Sequence, residues 1–167
     1  MDEAKIKKTT FAKYLSTSAK MKRIIPIASD HGGYEMKQFL VGKLEEAGYE
    51  VDDFGTHSPE SVDYPDFIHP LAKEVAEGKY ALGVILCGSG NGAQMTANHH
   101  QGIRAALCWN VELAELARRH NDANIISLPG RFVSNELAWE MVQTFLNTGF
   151  EGGRHAKRVE KIEQNVE

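Results

Sequence analysis

The chain has 167 residues, of which 42% are hydrophobic and 25% charged, and a formal net charge of −4. That length suits one domain with a proper core, and the composition is that of a globular protein. An acidic balance with scattered basic residues excludes a polyanion-binding surface of the nucleic-acid kind, and no apolar run reaches the roughly 18–20 residues of a membrane span. Its two cysteines, Cys87 and Cys108, lie in apolar strand-like runs with no disulfide or zinc spacing, which points to a reducing, cytoplasmic setting.

Residues 1–20 mix charged and hydroxyl side chains without the apolar core of a secretory signal, so they are expected to be an extension outside the fold, with the domain over residues 21–167. The first predicted strand is Ile24–Ser29, ending in Asp30-His31-Gly32-Gly33. A helix follows with Met36, Phe39, Leu40, Leu44 and Ala47 on one face, stopped by Gly48. Tyr49–Phe54 reads as a strand, and Pro65–Gly78 as a helix with proline in its first turn. Ala81–Cys87 is apolar throughout, as a strand covered on both faces must be. After Gly88-Ser89-Gly90-Asn91-Gly92 come a helix over Ala93–His99, a strand over Arg104–Trp109, a helix over Val111–His120, a strand over Asn124–Leu128 and a helix over Ser134–Leu146. A charged helix begins near Arg154. This alternation predicts a three-layer α/β/α, Rossmann-like domain with a five-stranded parallel sheet and a C-terminal helix.

In such a sheet ligands bind beyond the carboxyl ends of the strands. Asp30-His31, Cys87 with its glycine loop, and Arg131 all fall there. His120-Asn121 fall instead at a helix end leading into a strand, which leaves open whether they reach that site across a subunit interface.

The loop Gly88-Ser89-Gly90-Asn91-Gly92 is neither a Walker A sequence nor G-x-G-x-x-G, but its glycines permit backbone N–H groups to converge on an anion. Cys87 directly precedes it, near the start of the next helix, where a thiolate is favoured. Cys108 has no such neighbours and fits a buried apolar role. Asp30-His31 suits proton handling or hydroxyl recognition, although Asp30 equally suits a helix cap. Arg154 and Arg158, four apart, present two guanidiniums on one helical face, fit for a phosphate monoester or for pairing with Glu160 and Glu163. His99-His100 are adjacent and cannot face one metal from a helix, so no metal site is expected.

Seven ordered motifs carry a resemblance: Ser29-Asp30-His31-Gly32-Gly33, Asp63-Tyr64-Pro65, Cys87 through Gly92, Ala97-Asn98, Gly102-Ile103-Arg104-Ala105, His120-Asn121-Asp122-Ala123-Asn124 and Glu151-Gly152-Gly153-Arg154-His155. From residue 21 onward the chain resembles ribose-5-phosphate isomerase type B, in the family that includes galactose- and allose-6-phosphate isomerases. The resemblance implies a metal-free and cofactor-free aldose–ketose isomerase working through an enediol, as a homodimer or tetramer with a site shared between subunits. It implies Cys87 as the base, and Ser89 with the N–H groups of Gly88, Gly90, Asn91 and Gly92 around the enediolate. His120 would open the furanose ring, Asn121 and Asp30 would hold hydroxyls, and His31, Arg131, Arg154 and Arg158 would surround the phosphate. One branch of the family uses a glutamate base six residues beyond the cysteine position; that position is Ala93, so the chain reads as the cysteine type. Ser89 stands where many cysteine-type members carry threonine. Alternatives are a six-carbon sugar phosphate as substrate, or a non-catalytic module that binds sugar phosphate.

Overall fold

The computed structural model describes residues 23–164; the expectation for residues 1–20 lies outside them. Five strands and six helices alternate: β1 (Ile24–Ser29), α1 (Tyr34–Glu46), β2 (Glu50–Asp53), α2 (Tyr64–Ala76), β3 (Gly83–Cys87), α3 (Asn91–Asn98), β4 (Ala105–Leu107), α4 (Val111–Asn121), β5 (Ile125–Pro129), α5 (Asn135–Asn147) and α6 (Arg154–Ile162). All pairings are parallel, in the order β2-β1-β3-β5-β4. The doubly wound architecture is the one expected. Sequential strands joined by helices cannot turn back on themselves in a hairpin, so each crossover lays a helix on one face or the other.

The central strand β3 is buried at every residue, and its alternating side chains feed two cores. Val84 and Leu86 pack with Met36, Leu40, Phe145 and Ile126 on the face covered by α1, α4 and α5. Ile85 and Cys87 pack with Ile68, Leu71, Ala93 and Ala97 on the face covered by α2 and α3. Burying each such Leu, Ile or Phe contributes about 1.5–3 kcal/mol, enough in sum to offset the ordering of short loops.

Two departures from expectation have physical causes. The fourth strand spans three residues instead of Arg104–Trp109, because it lies at the sheet edge and its ends are committed elsewhere. Asn98 clamps Ala105 from α3, accepting from its N–H at 2.7 Å and donating to its carbonyl at 3.0 Å. Cys108 therefore lies just past the strand, still 1% exposed. On α1, the apolar face includes Lys37, which is wholly buried and reaches Asp53 at the end of β2 with contacts of 2.7 and 2.8 Å. Asp53 also accepts from the Gly55 N–H at 2.9 Å, so the pair ties α1, β2 and the following turn together.

Candidate active site

At the carboxyl end of β3 the chain leaves a fully buried strand and must turn into α3 within three residues. Gly90 makes this possible with φ of +77°; a Cβ there would also stand 3.1 Å from the Leu128 carbonyl. The turn is fastened from β5: the Gly130 N–H donates to the Cys87 carbonyl at 2.9 Å, the Arg131 N–H to the Gly88 carbonyl at 3.0 Å, and the Ser127 hydroxyl to the Gly90 carbonyl at 2.8 Å. These bonds occupy the carbonyls of Cys87, Gly88 and Gly90. The Ser89 hydroxyl accepts from the Asn91 N–H at 3.3 Å, which holds it over the start of α3.

The loop after β1 closes on the loop after β3. A Cβ on Gly32 would lie 2.9 Å from the Gly88 nitrogen, so only glycine permits this approach. Asp30, 7% exposed, accepts from the Gly33 N–H at 3.2 Å, fulfilling the capping role, while its second oxygen has no bond among the described residues. His31 Nδ1 accepts from the Val62 N–H at 3.2 Å, which places the neutral ring's proton on Nε2 and leaves that edge a donor. The Arg131 guanidinium lies over Gly88, its Nη1 3.3 Å from where a Cβ would stand. Asp30, His31, Cys87, the loop of residues 88–92 and Arg131 thus come together as the sheet rule requires.

Tyr64 joins this group. Its ring packs on Gly92 across a gap of 28 positions in the chain, closely enough that any side chain at Gly92 would overlap it. Sequence reasoning noted the Asp63-Tyr64-Pro65 turn but gave Tyr64 no role; a half-exposed tyrosine at a helix start carries no signal of its own.

The remaining expected residues lie elsewhere. Helix α4 runs from the carboxyl end of β4 back to the amino end of β5, so His120 and Asn121 stand at the opposite end of the sheet from Cys87. Helix α6 packs on α4, and His120 stacks on His155 with ring centres 4.2 Å apart. Within the motif His120–Asn124, the other polar members are structural. Asp122 binds Arg118 at 2.9 Å and Arg104 at 3.4 Å, and Asn124 accepts from the Arg104 N–H at 2.8 Å and donates to the Gly102 carbonyl. That leaves half-buried His120 and exposed Asn121 facing outward.

The arginines divide in the same way. Arg23, Arg104, Arg118 and Arg119 are each bound to a carbonyl or carboxylate. Arg131, Arg154 and Arg158 are exposed and have no ion-pair partner among the described residues. Glu163, a candidate partner for the α6 arginines, binds Arg104 at 2.6 Å instead. Guanidiniums left unneutralised at two places suit an anionic ligand. The two cysteines also differ in chemistry: burial pushes the Cys108 thiol up to about 12, so it stays protonated. His99 and His100 form no joint site; His100 Nε2 pairs with His69 Nδ1 at 2.8 Å.

A parallel α/β sheet with a thiol and an amide-lined loop at its switch region, and guanidiniums reserved for an anion, defines a class of enzymes acting on small phosphorylated substrates. The Ribose/Galactose Isomerase family matches residues 25–162, and the chain belongs to it. Ribose-5-phosphate isomerase B of Escherichia coli is 42% identical over 138 residues, covering 83% of this chain and 93% of that protein. A Rickettsia bellii relative, 43% identical over 83% of this chain and 96% of its own length, is named no more narrowly than a sugar phosphate isomerase. The crystal structure of a Thermotoga maritima ribose 5-phosphate isomerase superposes with a TM-score of 0.83 at 48% identity, covering 84% of this chain and 97% of that one. The Mycoplasma genitalium ribose-5-phosphate isomerase B, solved with bound ribulose-5-phosphate, gives 0.82 at 38% identity, covering 86% and 96%. The chain is therefore an isomerase. Among the described residues no helix is long and apolar enough to cross a membrane.

Proposed function

We propose that the chain interconverts ribose 5-phosphate and ribulose 5-phosphate, in the non-oxidative branch of the pentose phosphate pathway, with Cys87 as the base. The carbonyl moves between C1 and C2, one proton is carried between these carbons, and one between their oxygens, so the reaction needs no oxidant or cofactor. A proton beside a carbonyl is only weakly acidic, and its removal requires a base paired with fixed donors at the oxygen that gains charge. Cys87 is the base candidate that supports this reading: it ends β3 against the 88–92 loop, where the carbonyls are already bonded and the remaining N–H groups and the Ser89 hydroxyl can face an enediolate. Buried Ala93 offers no carboxylate to replace it.

Asp30 and Asn121 hold hydroxyls in this reading, and His120 opens the furanose ring. His31 and Arg131 meet the phosphate from one end of the sheet, and Arg154 and Arg158 from the other. Since these two ends cannot meet within one chain, the working unit is a homodimer, or a tetramer of such dimers, in which each site takes the Cys87 end of one copy and the His120 end of the other. A cytoplasmic location suits two free thiols.

The observation that carries the proposal is the Cys87 thiol against the glycine loop, with unpaired Arg131 lying over Gly88, in a chain of this family. Turnover on ribose 5-phosphate, compared with allose and galactose 6-phosphates, tests it. A higher kcat/KM on a six-carbon substrate would reassign the substrate, and tight binding without turnover on any of them would leave a binding module. Replacing Cys87 by Ala should lower kcat by about 10²- to 10⁴-fold while sugar-phosphate binding persists. Activity should be unchanged by chelators.

A further inference from the structure

At the amino end of the sheet His120 is one of three side chains gathered into a cluster. Its ring lies on that of His155 from the first turn of α6, centres 4.2 Å apart and planes 11° apart. Glu151 spans the pair, with one carboxylate oxygen 3.9 Å from His120 Nε2 and the other 3.9 Å from His155 Nε2. Glu151 is itself anchored to the residue beside His120: its N–H donates to the Arg119 carbonyl at 3.0 Å, and its carboxylate binds the Arg119 guanidinium at 2.9 Å. Gly152 and Gly153, with φ of +70° and +54°, turn the chain so that Glu151 and His155 reach the same place. His155 is 5% exposed, and its Nε2 has no hydrogen-bond partner among the described residues.

A buried imidazole nitrogen without a partner calls for an explanation. A metal ion does not fit this arrangement, because an ion lies in the plane of each imidazole that binds it, and near-parallel stacked rings share no such plane. Orientation of one ring by its neighbours fits better. The charged groups around the stack are Glu151 and Arg119 on one side and Arg154 and Arg158 on α6. Burial, then His120 and Arg154, hold His155 below its ordinary 6.5, so it remains neutral. The Arg119 bond holds Glu151 below the usual carboxylate range, so it remains an anion.

We propose that His155 and Glu151 are positioning residues for His120: the His155 ring is the platform that fixes the His120 imidazole, and the Glu151 carboxylate, anchored by Arg119, faces its Nε2 edge. The inference rests on the reading that His120 opens the sugar ring.

Three variants test it. His155→Ala should lower kcat on ribose 5-phosphate by on the order of 10- to 100-fold, with KM changed far less, as expected when a reacting group is displaced by about an ångström. His155→Phe keeps a stacking face without a proton and should restore most of that loss. Glu151→Gln should shift the His120 ring-proton resonances, followed by NMR without substrate, because the group facing Nε2 loses its charge. Wild-type turnover in His155→Ala, no recovery in His155→Phe, or unmoved His120 resonances in Glu151→Gln would each overturn the proposal. If His155→Ala does not fold, the other two variants decide. If the wild type turns over no sugar phosphate, the function reading fails, and the NMR comparison still decides whether Glu151 acts on His120.

Discussion

At the carboxyl ends of β1, β3 and β5, Asp30, His31, Cys87 and Arg131 are held largely by backbone hydrogen bonds between loops, whereas at the amino ends of β4 and β5, His120 is held by side chains, His155 and Glu151. The first arrangement is stiff and presents N–H groups and a thiol; the second presents an imidazole and the two α6 arginines. In the proposed reading each end holds part of what an isomerase of phosphorylated sugars requires, and the protomer is two half-sites facing away from each other, which a two-fold dimer would bring together twice.

The largest expected effect tests that pairing directly. Chains with Cys87→Ala and chains with His120→Ala should each be nearly inactive. In a two-fold dimer a mixed pair has one doubly damaged site and one intact site, so dissociation and random reassociation should restore about a quarter of wild-type activity. No recovery after subunit exchange verified by mass would show that the two ends do not share a site.

Removing a guanidinium from either end should be the next largest effect. If Arg154 and Arg158 each hold the phosphate as proposed, Arg154→Ala or Arg158→Ala removes one charge-assisted contact, about 1.5–3 kcal/mol, and so should lower kcat/KM about 10- to 100-fold, mainly through KM. Lys157→Ala, an exposed neighbour on α6, should change it less than about twofold. Equal effects at all three positions would mean that α6 acts through its net charge and not through two specific side chains.

Much of this was legible in the chain itself. An unbroken apolar run such as Gly83–Cys87 can only be a strand covered on both faces, and the glycines after it can only be a turn, so the fold and the Cys87 end followed from local pattern. A strand expected over Arg104–Trp109 overruns β4 because Arg104 and Cys108 look strand-like beside Ala105–Leu107, although the first is drawn into the Asp122 and Glu163 pairs. What stayed invisible were contacts between distant segments: Lys37 with Asp53, Tyr64 with Gly92, and Glu151 and His155 with His120. A motif quotes residues that build and residues that react in the same letters. Only geometry separates Asp122 and Asn124, tied to arginine and backbone, from His120 and Asn121 beside them.

The two ends should also differ in stability. Asp53→Asn leaves Lys37 buried without its counter-charge and should cost about 3 kcal/mol in urea unfolding. Glu163→Gln, at the amino end, removes a partly exposed partner of Arg104 and should cost about 1 kcal/mol. Acid should act on the amino end first. The folded His155 binds its proton less readily than the unfolded chain does, so its contribution is complete above about 6.5 and is lost progressively as pH falls below it. The His155→Phe chain should show a flatter stability profile over that range, and an unchanged profile would remove His155 from the acid response.

The smallest effect belongs to the second cysteine, and it sharpens what is special about the first. Cys108 and Cys87 are both almost fully buried, at 1% and 4% exposure, so burial alone does not distinguish them. They belong to opposite faces of the sheet: Cys108 packs with Ile126, Leu128 and Met141, its sulfur 3.6 Å from the Ala106 carbonyl, while Cys87 packs with Ala28 and Ala93 beneath the glycine loop. Burial discourages the Cys108 thiol from ionising and pushes it up to about 12. Cys108→Ala should therefore cost about 1 kcal/mol of packing and leave turnover within about twofold of wild type. Iodoacetamide at pH 8 should modify Cys87 and not Cys108, sugar phosphate should slow that modification, and one label per chain should abolish activity. Labelling of Cys108 at a comparable rate would show that the glycine loop does not set Cys87 apart in reactivity.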